Sequence, residues 1–114
     1  MMDANERYQE MLDPYVQELR RGLIVLAVLS QLDQPQYGYS LIKQLSDKAF
    51  EVDQGTLYPL LRRLEERGLL QSDWVVDDSR PRKYYQINDT GKAILADLKT
   101  EWSNIVKVLE GVLS

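Results

Sequence analysis

Leu57, Leu60, Leu61 and Leu64 recur at helical spacing between Asp53 and Gly68. At about 100° per residue they share one face. Gln54, Thr56, Tyr58, Pro59, Arg62, Arg63 and Glu66 lie on or near the other. The Asp53 carboxylate suits the free amides of a first turn, and Gly68 suits the left-handed residue that closes a last one. The pattern predicts an amphipathic helix from Gln54 to Arg67 that runs straight into a strand. Alone, such a helix is an ordinary surface helix with solvated arginines. It is equally the way a helix-turn-helix protein presents a reading helix to DNA. The neighbouring segments decide between the two.

Upstream, Asp13 and Pro14 have the chemistry of a helix start. The pattern predicts a helix over Tyr15 to Leu32, with Leu19, Leu23, Leu26 and Leu29 on its most apolar stripe. The stretch Leu23 to Leu29 is apolar nearly all round, which predicts burial on most sides at the centre of the core. Residues 1–13 read as an extra helical arm, with Met11 and Leu12 to bury. Pro35 breaks the pattern. Leu41, Ile42 and Leu45 then mark a second short helix, entered at Gly38 and reaching Ala49 or Phe50.

After Gly68 the period falls to two. Leu70 to Val76 reads as a strand, Asp77 to Pro81 as a turn, and Arg82 to Asn88 as a returning strand with Tyr85 and Ile87 inward. A last helix follows, capped by Asp89 or Thr90. Leu95, Leu98, Trp102, Ile105, Leu109 and Val112 follow at alternating spacings of three and four, a heptad seam. Such a seam, placed after the wing, predicts pairing with a second copy of the chain. The fold class is mainly α with a small β-hairpin (α+β). It is a winged helix-turn-helix with an N-terminal helix and a long C-terminal dimerisation helix. Residues 1–90, with the helical arm 1–13, form the DNA-binding unit, and residues 91–114 form the dimerisation helix.

Composition narrows the chemistry. The 114 residues include no cysteine and no histidine. That excludes disulfides, thiolate and histidine catalysis, and zinc sites built on those residues. No close acidic pair suggests a hydrolase, so no enzyme, cofactor or metal is expected. No apolar run is long enough to span a bilayer, and the acidic, polar N-terminus is unlike a signal peptide; a cytoplasmic location is expected. The net charge of −4 runs against nucleic acid as an average. Exposed charges, however, act over only about 8 Å at physiological salt. Arg80, Arg82 and Lys83 place three cations within four residues on the wing, while the first eighteen residues are rich in Asp and Glu. A basic tip on an acidic body is still able to meet DNA.

Four blocks together resemble one family. Arg21-Gly22-Leu23, YGYSLI at 37–42, GTLYPLLRRLEERGLL at 55–70 and RKYYQINDTGK at 82–92 are similar in order and spacing to the PadR family of bacterial transcriptional regulators. The short tail resembles the compact subfamily with one C-terminal dimerisation helix. The resemblance implies a homodimeric winged-helix repressor on a pseudo-palindromic double-stranded DNA operator. It makes residues 54–67 the recognition helix, with Gln54, Thr56, Tyr58, Pro59, Arg62 and Arg63 on its DNA side. Pro59 would offer thymine methyls an apolar contact, and the arginines would reach phosphate or guanine. Tyr39 and Ser40 resemble the family's backbone-contacting pair, while Tyr37 is either a DNA contact or packing. Arg80, Arg82, Lys83 and Tyr84 would face DNA from the wing, with Tyr85 in the core. Trp102 is either plain packing or the wall of a site for a small aromatic or hydrophobic effector at the dimer seam. A winged-helix protein-interaction module without specific DNA binding is the alternative reading.

Overall fold

The computed structural model describes the backbone of residues 1–114 and every side chain except that of Asp77. The first helix, α1, runs without a break from Ala4 to Ser30. Its cap is Asp3, whose carboxylate accepts the Glu6 amide at 2.8 Å. The start expected at Asp13 and Pro14 is therefore corrected, and residues 1–13 are not a separate arm. Pro14 removes one amide from the ladder, and the carbonyl left over belongs to Glu10, an exposed residue that water can serve. Burial along α1 also differs from expectation. Only Val28 and Leu29 are buried, residues 23–27 are half-buried, and Leu19 is 71% exposed. The body of the protein wraps only the end of α1, and the rest projects beyond it.

Gln36 pairs with Tyr85 in an isolated bridge before α2, which spans Gly38–Asp47. The helix stops two residues before the expected end because Ala49 turns left-handed, with φ 64°. The Phe50 amide then reaches back to the Leu45 carbonyl and the Ala49 amide to that of Ser46, both at 2.9 Å. This pair of reversed bonds serves carbonyls the helix would otherwise strand. The next helix, α3 at Gln54–Glu66, closes the same way. Gly68 takes φ 85°, the Leu69 amide bonds to Leu64 and the Gly68 amide to Glu65. At its start Asp53 caps the Thr56 amide at 3.1 Å, as its position predicts.

The wing is β1 (Leu70–Asp77) paired antiparallel with β2 (Arg80–Ile87), Leu70 opposite Ile87 and Asp77 opposite Arg80. Only Asp78 and Ser79 turn the chain, both with positive φ, which matches the right-handed twist of a tight hairpin. The expected five-residue turn is thus shorter, and Arg80 and Pro81 belong to β2. Pro81 is tolerated as the second residue of its strand. The last helix, α4, spans Asp89–Leu113. Its cap is Asn88 rather than Asp89 or Thr90, its side-chain oxygen accepting the Gly91 amide at 2.8 Å. Asp89 instead lies in the first turn, where a negative charge suits the positive end of the helix dipole.

The core gathers on the leucine face of α3. Leu57, Leu60, Leu61 and Leu64 are buried against Val28, Leu29 and Leu32 from α1 and its exit, and against Leu41 and Leu45 from α2. Leu70, Tyr85 and Ile87 close it from the wing. Asn88 ties the base together: its amide donates to Leu69 O at 3.1 Å and its side-chain nitrogen to Gly68 O at 2.9 Å. Along the α4 seam, Leu95 and Leu98 are half-buried, whereas Trp102, Ile105, Leu109 and Val112 are exposed.

Candidate nucleic-acid interface

The helix α3, the candidate recognition helix, inherits its outward surface from its inward one. With the leucines fixed in the core, Gln54, Thr56, Tyr58, Arg62 and Arg63 are exposed and Pro59 is half-buried. They do not form one cluster. Tyr58 and Arg62, one turn apart, look toward the wing across a cleft of about 420 Å³ that Tyr37, Trp74, Arg82 and Lys83 also line. Thr56 looks the other way, into a cleft of about 570 Å³ that Arg20 and Arg21 of α1 share. Gln54 and Arg63 stand clear of both, and Arg80 is exposed at the wing tip.

Gly38 sets how closely α2 meets α3. A Cβ built there would come within 2.1 Å of the Tyr58 ring, so any side chain at this position would push that ring off its seat. Tyr37 beside it is the hub of an aromatic cluster. Its ring stacks with Tyr39 at 6.5 Å and meets the edge of Tyr84 at 5.3 Å. The Arg82 guanidinium lies 4.6 Å from its centre, a cation–π contact. Packing is therefore the role of Tyr37 in the free protein. The cluster holds Arg82 over the start of α2.

Ser40 is used locally. Its hydroxyl accepts the Tyr37 amide at 3.2 Å and lies 2.8 Å from the Gln36 side-chain oxygen. Gln36 continues to Gln44 and Gln44 to Gln31, a polar chain from α2 to the end of α1. What the start of α2 offers an anion is its first-turn backbone amides, with the exposed Tyr39 beside them.

Alternation along β2 sorts the wing residues. Tyr85 is buried as expected, and Tyr84 sits on the opposite face against Tyr37. Lys83 shares the face of Tyr85 and is tied to Glu65 of α3 at 3.0 Å. Ser72 of β1 also donates to the Glu65 carboxylate. Glu65 is thus the pin that fixes the wing to α3, a role that helical periodicity does not reveal. The Ser72 hydroxyl first, and Lys83 after it, hold the Glu65 carboxyl below its usual range. Glu65 in turn raises Lys83 above the usual lysine range. Trp74 was also missed as a surface residue. Its alternation with Ser72 was the available signal, since both side chains leave β1 on the side that faces α3.

A helix-turn-helix whose second helix is followed by a two-stranded wing defines a DNA-binding winged helix. The model of the transcriptional regulator PadR-like family matches residues 25–97. The crystal structure of a PadR family transcriptional regulator from Eggerthella lenta is 42% identical, with a TM-score of 0.89 over 95% of this chain and 96% of that one. One from Clostridium difficile is 32% identical, with a TM-score of 0.70 over 80% of this chain and 98% of its own. Transcriptional regulator Rv3488 of Mycobacterium tuberculosis is 37% identical over 83 residues, 72% of this chain and 78% of its own. The chain belongs to the PadR-like family of transcriptional regulators, which bind DNA and are not enzymes. No helix among the described residues is long and apolar enough to cross a membrane.

The Glu65 pin has a pH signature. Because its folded-state pKa is depressed, its contribution is present at neutral pH and is lost as pH falls through the folded value, below the usual glutamate range. Glu65→Gln should lower the thermal midpoint at pH 7 by a few degrees, on the order of 1 kcal/mol for a half-exposed charged pair. The wild-type and variant melting curves should converge as the pH is lowered toward 3. A gap that persists unchanged at low pH would rule out the ionised pin.

Proposed function

We propose that the chain is a homodimeric repressor that reads a pseudo-palindromic operator and is released by a small aromatic or hydrophobic effector at the dimer seam. The observation that carries this reading is the contrast between the two ends of the molecule. The reading head has a closed core, while α4 carries Trp102, Ile105, Leu109 and Val112 exposed on one seam. Tyr8, Met11, Tyr15 and Leu19 form a second exposed stripe at helical spacing on α1. An exposed apolar surface of this extent calls for a partner. A second copy of the chain supplies matching stripes by two-fold symmetry. On this reading residues 1–90 are the DNA-binding unit and 91–114 the dimerisation helix, working in the cytoplasm.

Each reading head would place α3 in a major groove, the two heads about one helical turn apart. Gln54, Tyr58 and Pro59 would meet base edges. Arg62, Arg63, Arg80, Arg82 and the start of α2 at Tyr39 and Ser40 would meet phosphate. Tyr84 would steady Arg82 through Tyr37, and Lys83 would add its charge from beside Glu65. Repression would follow from occupancy of the promoter. An effector beside Trp102 would act only through different affinities for two arrangements of the heads.

Three measurements test this. Arg62, Arg63, Arg80 and Arg82 of two subunits would make eight phosphate contacts, so log Kd against log salt should have a slope of magnitude about 7, at roughly 0.9 each. The titration uses a duplex from the gene's own upstream region. The Arg62→Ala/Arg63→Ala double variant should bind at least tenfold more weakly, and wild-type affinity in that variant overturns the DNA assignment. Sedimentation should give a dimer for the wild type and a monomer for Ile105→Asp, and a monomeric wild type at micromolar concentration removes the dimer. In a Trp74→Phe background Trp102 emission reports the seam alone. It should be quenched by one or more of a panel of phenolic acids and planar cations, and constant emission across the panel removes the effector.

A further inference from the structure

We infer that the cleft between the wing and α3 is the seat for a single strand of the DNA sugar–phosphate backbone, with Trp74 as a direct contact. The inference rests on the DNA-reading role proposed above and adds a binding residue to it. Trp74 is 68% exposed in a protein whose core leucines are almost fully buried. It stands on β1 directly opposite Lys83. Ser72, two residues earlier and on the same face, reaches Glu65 of α3, so this face of the wing looks at the recognition helix. The indole therefore forms one wall of the cleft that Tyr58 and Arg62 bound on the other side.

The chemistry of that cleft suits a phosphodiester. Arg62, Arg82 and Lys83 line it together with the aromatic rings of Tyr37, Tyr58 and Trp74, Arg82 lying over Tyr37 and Lys83 paired with Glu65. The carboxylate beside it, Glu65, is already paired with Lys83 and Ser72. The indole N–H is a donor with no acceptor role, and it makes no hydrogen bond among the described residues. A phosphate oxygen would satisfy it, while the indole face would cover the apolar edge of a deoxyribose. Position agrees with chemistry. When a recognition helix fills a major groove and its wing reaches the adjacent minor groove, one backbone strand passes between them. The Glu65 pin holds the two walls of the cleft at a fixed separation, so the seat exists before DNA arrives.

The contact is neutral, which gives it a signature distinct from that of the arginines. The full-length wild type, Trp74→Phe, Trp74→Ala and Arg82→Ala are titrated with the upstream-region duplex at several salt concentrations. Trp74→Ala should bind about tenfold more weakly, the scale of a lost hydrogen bond to a charged group, with the salt slope unchanged. Trp74→Phe, which keeps a ring but loses the donor, should fall between. Arg82→Ala should reduce the slope by about two for the dimer. In parallel, the wild type labelled with 5-fluorotryptophan gives two fluorine resonances, assigned with Trp74→Phe. The Trp74 resonance should shift on saturation with the duplex. This readout needs no destabilising variant, so it decides the matter even if Trp74→Ala does not fold. If the wild type binds the duplex while the Trp74 resonance stays in place and Trp74→Phe binds like the wild type, the seat is wrong and the regulator reading stands. If the wild type binds no duplex, both fall together.

Discussion

Everything in this molecule is placed by the burial of one leucine stripe. Leu57, Leu60, Leu61 and Leu64 commit α3 to the core, and that commitment fixes the rotation of the helix and therefore which residues remain outside. The same thirteen residues thus supply the centre of the core and an exposed polar face that carries Arg62 and Arg63. The attachments follow from it. At its start α3 presses Tyr58 against Gly38 of α2, in its last turn Glu65 holds the wing, and just beyond it Gly68 and Leu69 receive Asn88. The end of α1, α2 and both strands of the wing all bury residues in the cluster that this helix centres.

Electrostatics follow from the same arrangement. A net charge of −4 is an unpromising average for a DNA-binding regulator. The fold separates the signs instead of balancing them. Acidic side chains accumulate on the projecting half of α1, while Arg62, Arg82 and Lys83 line the cleft and Arg80 stands beside Asp78 at the wing tip. Within the head, Glu65 is neutralised by its pairing and Arg82 is held over an aromatic ring. The charge of the acidic half of α1 is screened over the distance that separates it from the cleft.

How much of this was legible in the sequence depends on the range of the interaction involved. The α3 stripe, its Asp53 cap and its Gly68 closure are local patterns, and each was readable from a few adjacent residues. So were the wing and the inward Tyr85. The misread points are places where a distant partner or solvent overrides a local preference. Asp13 and Pro14 carry every mark of a helix start, yet apolar spacing continues through them and water serves the stranded carbonyl. Ala49 takes a left-handed conformation that its side chain does not favour, because the closing bonds to Leu45 and Ser46 outweigh the strain. Asn88 outcompetes Asp89 and Thr90 as a cap because it also bonds to the end of α3. The pairing of Glu65 with Lys83 spans eighteen residues, and no periodicity announces it. The apolar run in α1 is less buried than its composition predicts, because the body covers only the final turns of the helix.

The joint at Asn88 has a consequence for how such a protein can change over generations. The first turn of α4 is bonded to the end of the recognition helix, while from Lys99 onward only Val106 is even half-buried. The far half of α4 is thus free of obligations to the reading head. Substitutions there leave the core of the head untouched, because none of its buried residues comes from that stretch. Substitutions on the exposed face of α3 likewise leave the far half of α4 untouched. The chain is in this way built in two parts that can change separately, joined by Asn88 together with Gly91, Leu95 and Leu98, which pack against the head.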